Sequence, residues 1–420
     1  MIDRRQLLKA GAATLVAPSL VRPARAASAA DRRFLFVFAQ GGWDPTYAFA
    51  PVFGSDRVDM PEDAGPAEIG GISFVEHADI PSVRTWLEQN ADRTCIVNGI
   101  EVRAVAHDAC RRIAMTNSLV PGNDDWSAIL AGEARSDPLI PLIHISGPSY
   151  THRFPQAVVR VGTTGQLGKL VDGTALTESD MAVDLPGADA QELEDALVRD
   201  RAHAFLDRGL GGRAAAIAAA AARSEDRLPE ILGLGAELSP GEGDALVDRL
   251  GLCLGFLSTG VSRCAMVAYE SWQGVFNGWD THQDNSLQAN HFEELFAALT
   301  TAWNQARTLP GSSGGSLADE LVIVVLSEMG RMPLLNGARG KDHWTWTSAM
   351  VVGAGVAGGQ VIGGFDEGLF GRGVDLESGA VVDGNPTLLP GHLGATLLAL
   401  GDVDPGAYVE GAEVIGAMLA

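Results

Sequence analysis

The sequence is short of the residues that hold cofactors through sulfur. Its 420 residues include four cysteines, Cys95, Cys110, Cys253 and Cys264. No two form a C-x-x-C pair, which excludes a zinc knuckle, a thioredoxin-like pair and cysteine-ligated haem or iron–sulfur spacings. Cys95–Cys110 and Cys253–Cys264 are the local disulfide choices in an oxidising compartment, and four buried free thiols are an equal alternative. Positive charge is scarce too. Thirty Lys and Arg face 53 Asp and Glu, a formal charge of −23. Such a chain repels phosphate backbones and anionic lipid, so no nucleic acid and no anionic membrane surface is an expected partner. No run reaches roughly 18 uninterrupted apolar residues, so no stable membrane insertion is expected. The glycine-rich stretch from Gly353 to Gly364 lacks the strand–turn–helix setting of a dinucleotide fingerprint.

What is present begins with an export signal. Asp3-Arg4-Arg5-Gln6-Leu7-Leu8-Lys9 carries a twin arginine, Ala10 to Val21 is modestly apolar, and Ala24-Arg25-Ala26 fits an A-x-A cleavage site. Residues 1–26 therefore read as a twin-arginine signal peptide, with the twin-arginine translocation machinery as partner and a periplasmic or extracellular destination. Removing it would take five cations and Asp3 and move the charge from −23 to −27. Residues 31–420 are expected to form one domain, large for a single core but within the range of α/β folds.

Apolar runs and helical periods alternate along that domain. Phe34 to Ala39, Thr94 to Gly99, Leu139 to Ile145, Ala265 to Tyr269, Glu320 to Leu326 and Met350 to Gly353 read as buried strands. Ser82 to Asn90, His107 to Met115, Trp126 to Gly132, Gln288 to Arg307 and Thr387 to Leu400 read as helices. The alternation predicts a mostly parallel sheet covered on both faces. The region from about 177 to 259 is rich in Ala, Leu, Glu and Arg, including a nine-residue run Ala214 to Ala222 broken only by Ile217. It is expected to be a helical insertion without chemistry of its own.

Four short motifs carry oxygen and imidazole ligands in turns: Gly41-Gly42-Trp43-Asp44, Trp279-Asp280-Thr281-His282, Ser327-Glu328-Met329-Gly330-Arg331 and Lys341-Asp342-His343-Trp344. The first and third directly follow strands, and open α/β sheets bind ligands outside the carboxyl ends of their strands. Asp44 after a double glycine is equally a metal ligand or a cap. Asp280 and His282 are two apart, so in extended backbone both face one way. Glu328 closes a buried strand, and Arg331 is either its salt-bridge partner or a clamp for an anionic substrate. Asp342 and His343 are adjacent and diverge, so one coordinates while the other supports it, or each meets a different metal. Carboxylates with imidazoles suit Zn, Mn, Fe or Mg, as one ion or as a pair. His107, at the start of a helix, is a candidate acid, base or ligand.

These segments, with Phe38-Ala39-Gln40 before the first, the glycine-rich 352–364 and Ala395-Thr396-Leu397-Leu398-Ala399-Leu400-Gly401, resemble the DUF1501 family. That family is similar to the alkaline phosphatase and sulfatase superfamily. The resemblance spans nearly the whole chain after the leader. It implies an alkaline-phosphatase-like three-layer α/β/α sandwich with a mostly parallel sheet and a helical insertion. It also implies a site with Asp44, Asp280, His282, Glu328, Asp342 and His343 as metal ligands. Ala106 stands where family members often carry Ser, and Gly394 where many carry His, with His392 nearby but out of register. Thr46 and Thr116 are the remaining candidates for a nucleophilic hydroxyl.

Two functions follow as expectations. The first is an exported metal-dependent hydrolase of phosphate or sulfate esters, using one or two divalent metals, with Arg331 binding a small anionic ester and His107 acting beside the metal. The alternative is a non-catalytic envelope binding or assembly protein that keeps the metallohydrolase fold with a degenerate site.

Overall fold

The computed structural model describes residues 28–161, 187–234, 245–270, 278–312 and 314–420. The expected leader, Ser271 to Asn277 and the start of the expected insertion lie outside the described residues. An eight-stranded sheet organises the chain. Its strands are β1 (Arg33–Ala39), β4 (Thr94–Glu101), β5 (Leu142–His144), β6 (Val158–Arg160), β7 (Cys264–Tyr269), β8 (Leu321–Ser327), β11 (Trp346–Gly353) and β12 (Gln360–Gly363). They lie side by side in the order β12-β4-β11-β8-β1-β7-β5-β6. Only β11 runs against its neighbours, pairing antiparallel with β4 and β8. This is the mostly parallel α/β arrangement that the alternating pattern and the resemblance implied.

Period-two burial explains why these runs are strands. On β1, Leu35, Val37 and Ala39 enter one core and Phe34, Phe36 and Phe38 the other, all at 0% exposure. The first core is roofed by α1 (Pro81–Asn90), α6 (Leu246–Ser258) and α7 (Leu287–Ala306). The second is roofed by α2 (His107–Thr116), α3 (Trp126–Gly132) and α8 (Pro390–Leu400). A sheet buried on both faces needs apolar residues at every position, so its strands read as continuous rather than alternating runs.

Within the region expected as an insertion, α4 (Ala188–Leu206) and α5 (Gly212–Leu234) form a two-helix hairpin. The segment that follows behaves differently. Helix α6 buries Leu250, Leu254 and Phe256 against the sheet and is part of the sandwich. The strand expected over 139–145 is only Leu142–His144. Pro141 has no N–H to give a ladder, and its carbonyl instead receives the amides of Arg263 and Cys264. Two small sheets were not apparent in the sequence. One is the hairpin β2 (Ala64–Ile69) with β3 (Ile72–His77), the other the pair β9 (Gly330–Arg331) and β10 (His343–Trp344). All four cysteines are buried and free, so neither disulfide forms.

Candidate metal centre

The carboxyl ends of β1, β4, β7 and β8 lie along one edge of the sheet. Because β11 is reversed, its first residues lie there too: Trp346 pairs with Glu101 at the end of β4. The turns carrying all four motifs, and the start of α2, are thereby gathered at this edge. The turn after β1 is shaped by glycine. Gly41 and Gly42 have φ of 127° and 86°, and a Cβ on Gly41 would lie 2.9 Å from the amide of Asp280. Only glycine lets the two turns approach this closely.

Asp280 is the hub. Its Oδ1 lies 3.2 Å from His343 Nε2 and 3.1 Å from His282 Nε2, and the two imidazole nitrogens are 2.9 Å apart. Its Oδ2 lies 3.4 Å from His107 Nε2. The far nitrogen of each ring is committed elsewhere. His282 Nδ1 is 2.8 Å from Asp342 Oδ1, His343 Nδ1 is 2.5 Å from the Val105 carbonyl, and His107 Nδ1 is 3.0 Å from Glu328 Oε1. A carbonyl only accepts, so His343 carries its proton on Nδ1, and the Asp342 carboxylate selects the same tautomer of His282. Both Nε2 lone pairs then face Asp280 Oδ1 with no proton between them. Arg331 Nη2 already donates to Asp280 Oδ1 at 2.6 Å, so the groups left without a donor are the two imidazole lone pairs, 2.9 Å apart, and a cation between them would relieve their repulsion.

That arrangement fits a metal. Bonds of about 2.0–2.2 Å from one tetrahedral ion place neighbouring donors roughly 3.3 Å apart. Carboxylate and imidazole are the donor types that zinc and neighbouring divalent ions take. Ligand atoms of His107, Asp280 and His343 also fall within 4.8 Å of one another, so His107 is within reach as a further ligand. Among the described residues these donors converge on a single point.

The other expected ligands stand one step back. Both oxygens of Asp44 are already engaged. Oδ1 accepts from the Thr46 amide and hydroxyl at 3.0 and 2.7 Å, and Oδ2 from Asn285 at 2.7 Å and the Lys341 ammonium at 2.8 Å. The residue is wholly buried, and the charge that a metal was expected to neutralise is neutralised by Lys341. Glu328, also at 0% exposure, accepts from the Gly41 amide at 2.8 Å and braces His107. Asp342 holds His282 and accepts from Asn336 at 3.3 Å.

Arg331 was expected to face an anionic substrate, and the structure turns it inward. Its side chain is fully buried. Nε donates to the Gly42 carbonyl at 2.8 Å, Nη1 to the Lys341 carbonyl at 3.2 Å, and Nη2 to the Gly41 carbonyl and to Asp280 Oδ1 at 2.6 Å. It ties three site segments together instead of projecting into solvent. The suggested hydroxyls are also distant from this chemistry. Thr46 donates to Asp44, and Thr116 ends α2 with its hydroxyl on the Arg112 carbonyl. A histidine at position 394, before Ala395-Thr396, has no room here, since a Cβ on Gly394 would lie 2.4 Å from the Trp126 ring. His392 instead takes the Leu389 amide on Nδ1 at the start of α8.

Electrostatics follow the same geometry. Burial raises the Asp280 pKa, but the hydrogen bond from His107 and the Arg331 charge outweigh it, so Asp280 lies well below the ordinary carboxylate value. Hydrogen bonds to Asp280 and Glu328 raise His107 to about 9, against an opposing push from burial. The hydrogen bond from His282 lowers Asp342.

Sequence reasoning missed the scaffold beneath the donors. Gln288 Oε1 accepts from the Asp44 amide at 3.0 Å, while its Nε2 donates to the Trp279 carbonyl at 2.9 Å and to Thr281 Oγ1 at 3.1 Å. Thr281 donates to Asn285, which donates to Asp44. The only advance signal was Lys341 itself, a lysine beside two candidate ligands in a strongly acidic chain.

Comparison with other proteins adds the following. No curated protein matches the chain. Among solved structures it is similar to a protein of the alkaline phosphatase superfamily from Vibrio parahaemolyticus, with 10% identity, 96% of this chain and 76% of the other covered, and a TM-score of 0.38. A lipoteichoic acid synthase from Listeria monocytogenes gives 9%, 93%, 76% and 0.39. An alkaline phosphatase from the Antarctic bacterium TAB5 gives 13%, 77%, 91% and 0.28. Residues 260–385, which include Asp280, His282, Glu328, Arg331, Asp342 and His343, match the model of the family described as "Protein of unknown function (DUF1501)".

Proposed function

We propose that this chain is an exported metal-dependent hydrolase of phosphate or sulfate esters. One observation carries the reading: Asp280 Oδ1, His282 Nε2 and His343 Nε2 lie 2.9–3.2 Å from one another, with both imidazoles fixed through their far nitrogens. Asp280, His282 and His343 would hold one divalent ion. When bound, that ion would supply a Lewis acid that polarises an ester oxygen.

The residues around the ion have distinct tasks. Asp342 and the Val105 carbonyl keep the Nδ1 protons in place, which points both Nε2 atoms at the site. His107, held on Nδ1 by Glu328, presents its Nε2 proton beside Asp280 Oδ2 and serves as the general acid for the departing oxygen. Arg331 acts as a positioning residue: it fixes Asp280 and the Gly41-Gly42 turn, and a substrate anion is drawn by the metal. Export rests on the twin-arginine leader read at residues 1–26. Its partner would be the twin-arginine translocation machinery, and its destination the periplasm or beyond.

The test is elemental analysis of purified protein followed by a panel of aryl phosphate, phosphodiester and sulfate esters. About one equivalent of metal per chain is expected, lost in Asp280→Ala/His282→Ala, with ester turnover lost in the same variant. A folded protein that takes up no metal after reconstitution would sink the proposal.

A second reading has its own observation. Among the described residues no Ser, Thr or Cys side chain touches the donor cluster, and the two candidate threonines are committed elsewhere. A non-catalytic envelope binding protein would keep the metal and turn over nothing on the whole panel.

A further inference from the structure

Helix α4 of the α4–α5 hairpin leaves its large apolar side chains outside. Helix α4 makes its packing contacts with α5, and the half-buried residues on that side are Asp195, Arg199, Ala202 and His203. His203 Nε2 is 2.9 Å from Asp226 Oδ1 on α5 at the exposed margin of the seam, while α5 itself buries Ala218 and Ala222. At about 100° of rotation per residue, the opposite side of α4 carries Leu193, Leu197 and Phe205, with Val198 at its margin. These are 63%, 60%, 48% and 45% exposed. A surface helix normally turns its apolar stripe inward and its charges outward. An apolar stripe left outside marks a contact surface.

We propose that this stripe of α4 is the interface of a homodimer, in which the helix packs antiparallel against the same helix of a second copy. The charge pattern selects that occupant. Asp189, Glu192, Glu194 and Asp195 lie in the first half of α4 with no cation among them, while the second half carries Arg199 and Arg201 beside a single acid, Asp200. A parallel pairing would set four acids against four. A two-fold axis between Leu197 and Val198 reverses one helix. It sets Leu197 on Val198 of the partner copy and brings Glu194 to Arg201 twice, once on each side of the axis. Glu194 and Arg201 both lie on the outward side, and among the described residues neither makes an ion pair. The antiparallel macrodipoles add to the preference. An anionic lipid surface is a poor occupant for a chain of net charge −23.

The position of the hairpin leaves the metal centre open. Helix α5 reaches the body of the protein where Arg227 donates to the Asp137 carbonyl at 2.8 Å, ahead of the first residue of β5. That is the edge of the sheet opposite the donor cluster. One helix of 19 residues, about 28 Å long, gives a small interface, so association on the order of 1–10 µM is expected.

Sedimentation velocity of the full chain between roughly 1 and 100 µM tests this. The wild type should pass from monomer to dimer across that range. Leu197→Glu should raise the dissociation constant by about tenfold or more, with the melting temperature of the dilute monomer unchanged because the site is exposed. Glu194→Arg should weaken the dimer through like charges, and Glu194→Arg/Arg201→Glu should restore it. A wild type that stays monomeric throughout overturns the proposal. So does a dimer indifferent to both single changes, or a monomer that instead co-sediments with phosphatidylcholine vesicles.

Discussion

Each imidazole at the donor cluster is defined by what its second nitrogen does. His282 leans on a carboxylate, His343 on a backbone carbonyl and His107 on a buried glutamate. Asp342 is the easiest of these supports to remove, being largely exposed. Asp342→Ala is expected to weaken metal affinity by about 10–100-fold without abolishing it, because His282 loses its orientation but stays in place. Competition against a chelator of known affinity would measure this, and an unchanged affinity would remove Asp342 from the site. The buried pair beside it answers a different question. Lys341→Met leaves Asp44 charged and uncompensated and is expected to cost about 3–5 kcal/mol of stability, whereas Lys341→Met/Asp44→Asn should recover most of it. Urea denaturation would separate the two. If Asp44 were a metal ligand, the double variant would lose metal, while a purely structural Asp44 leaves occupancy intact.

That these motifs would share one rim of the sheet was readable because two of them directly follow apolar runs and each places a hard ligand in a turn. Their roles were less so. Asp44, Glu328 and Arg331 have the right chemistry for a metal or an anion, and sequence cannot say that Lys341, the Gly41 amide and the Gly41 carbonyl are nearer partners. Those partners arrive from positions about 290 apart in the chain.

At the scale of elements, helix α7 gives the pH-dependent expectation. His291 lies on it at 1% exposure, packed on the Trp279 ring, with Nε2 3.0 Å from the Gly278 carbonyl. Burial lowers its pKa to about 4, with the Gly278 carbonyl offsetting part of the effect. The folded state therefore keeps His291 neutral while the unfolded chain binds a proton below about 6.5. This residue's share of stability is intact above pH 6.5, falls as pH drops towards 4, and levels off below it. The loss is bounded at roughly 3 kcal/mol. Denaturation midpoints at pH 7, 5.5 and 4 should show a smaller decline for His291→Gln than for the wild type; equal declines would mean the ring is not held neutral.

Strand β8 and helix α7 were plain from one run and one period. The direction of β11 was not, since a buried strand looks the same from either end. The β2–β3 hairpin was missed because Ala64-Gly65-Pro66-Ala67-Glu68-Ile69 has no apolar run and little β-propensity.

The whole molecule makes its own prediction through its cysteines. Burial pushes all four thiols to about 12, and none is bonded to another. Thiolates are the reactive form, so the native protein should resist a thiol-directed chromogenic reagent at pH 8. In denaturant four equivalents should react. Fast labelling of one thiol in the native state would show that part of the core opens independently.

The reversed strand β11 has a consequence for how the fold comes apart. Its turnaround keeps residues 328–346 at one rim, so a single ion there would join β7's exit to this excursion. Asp280 and His343 are 63 positions apart. An ion spanning them would behave as a removable rivet across a very long loop, and long closures are the ones that most restrict an unfolded chain. Chelation should therefore expose the rim to protease first, with cuts near Pro333 to Arg339, well before the sheet itself gives way.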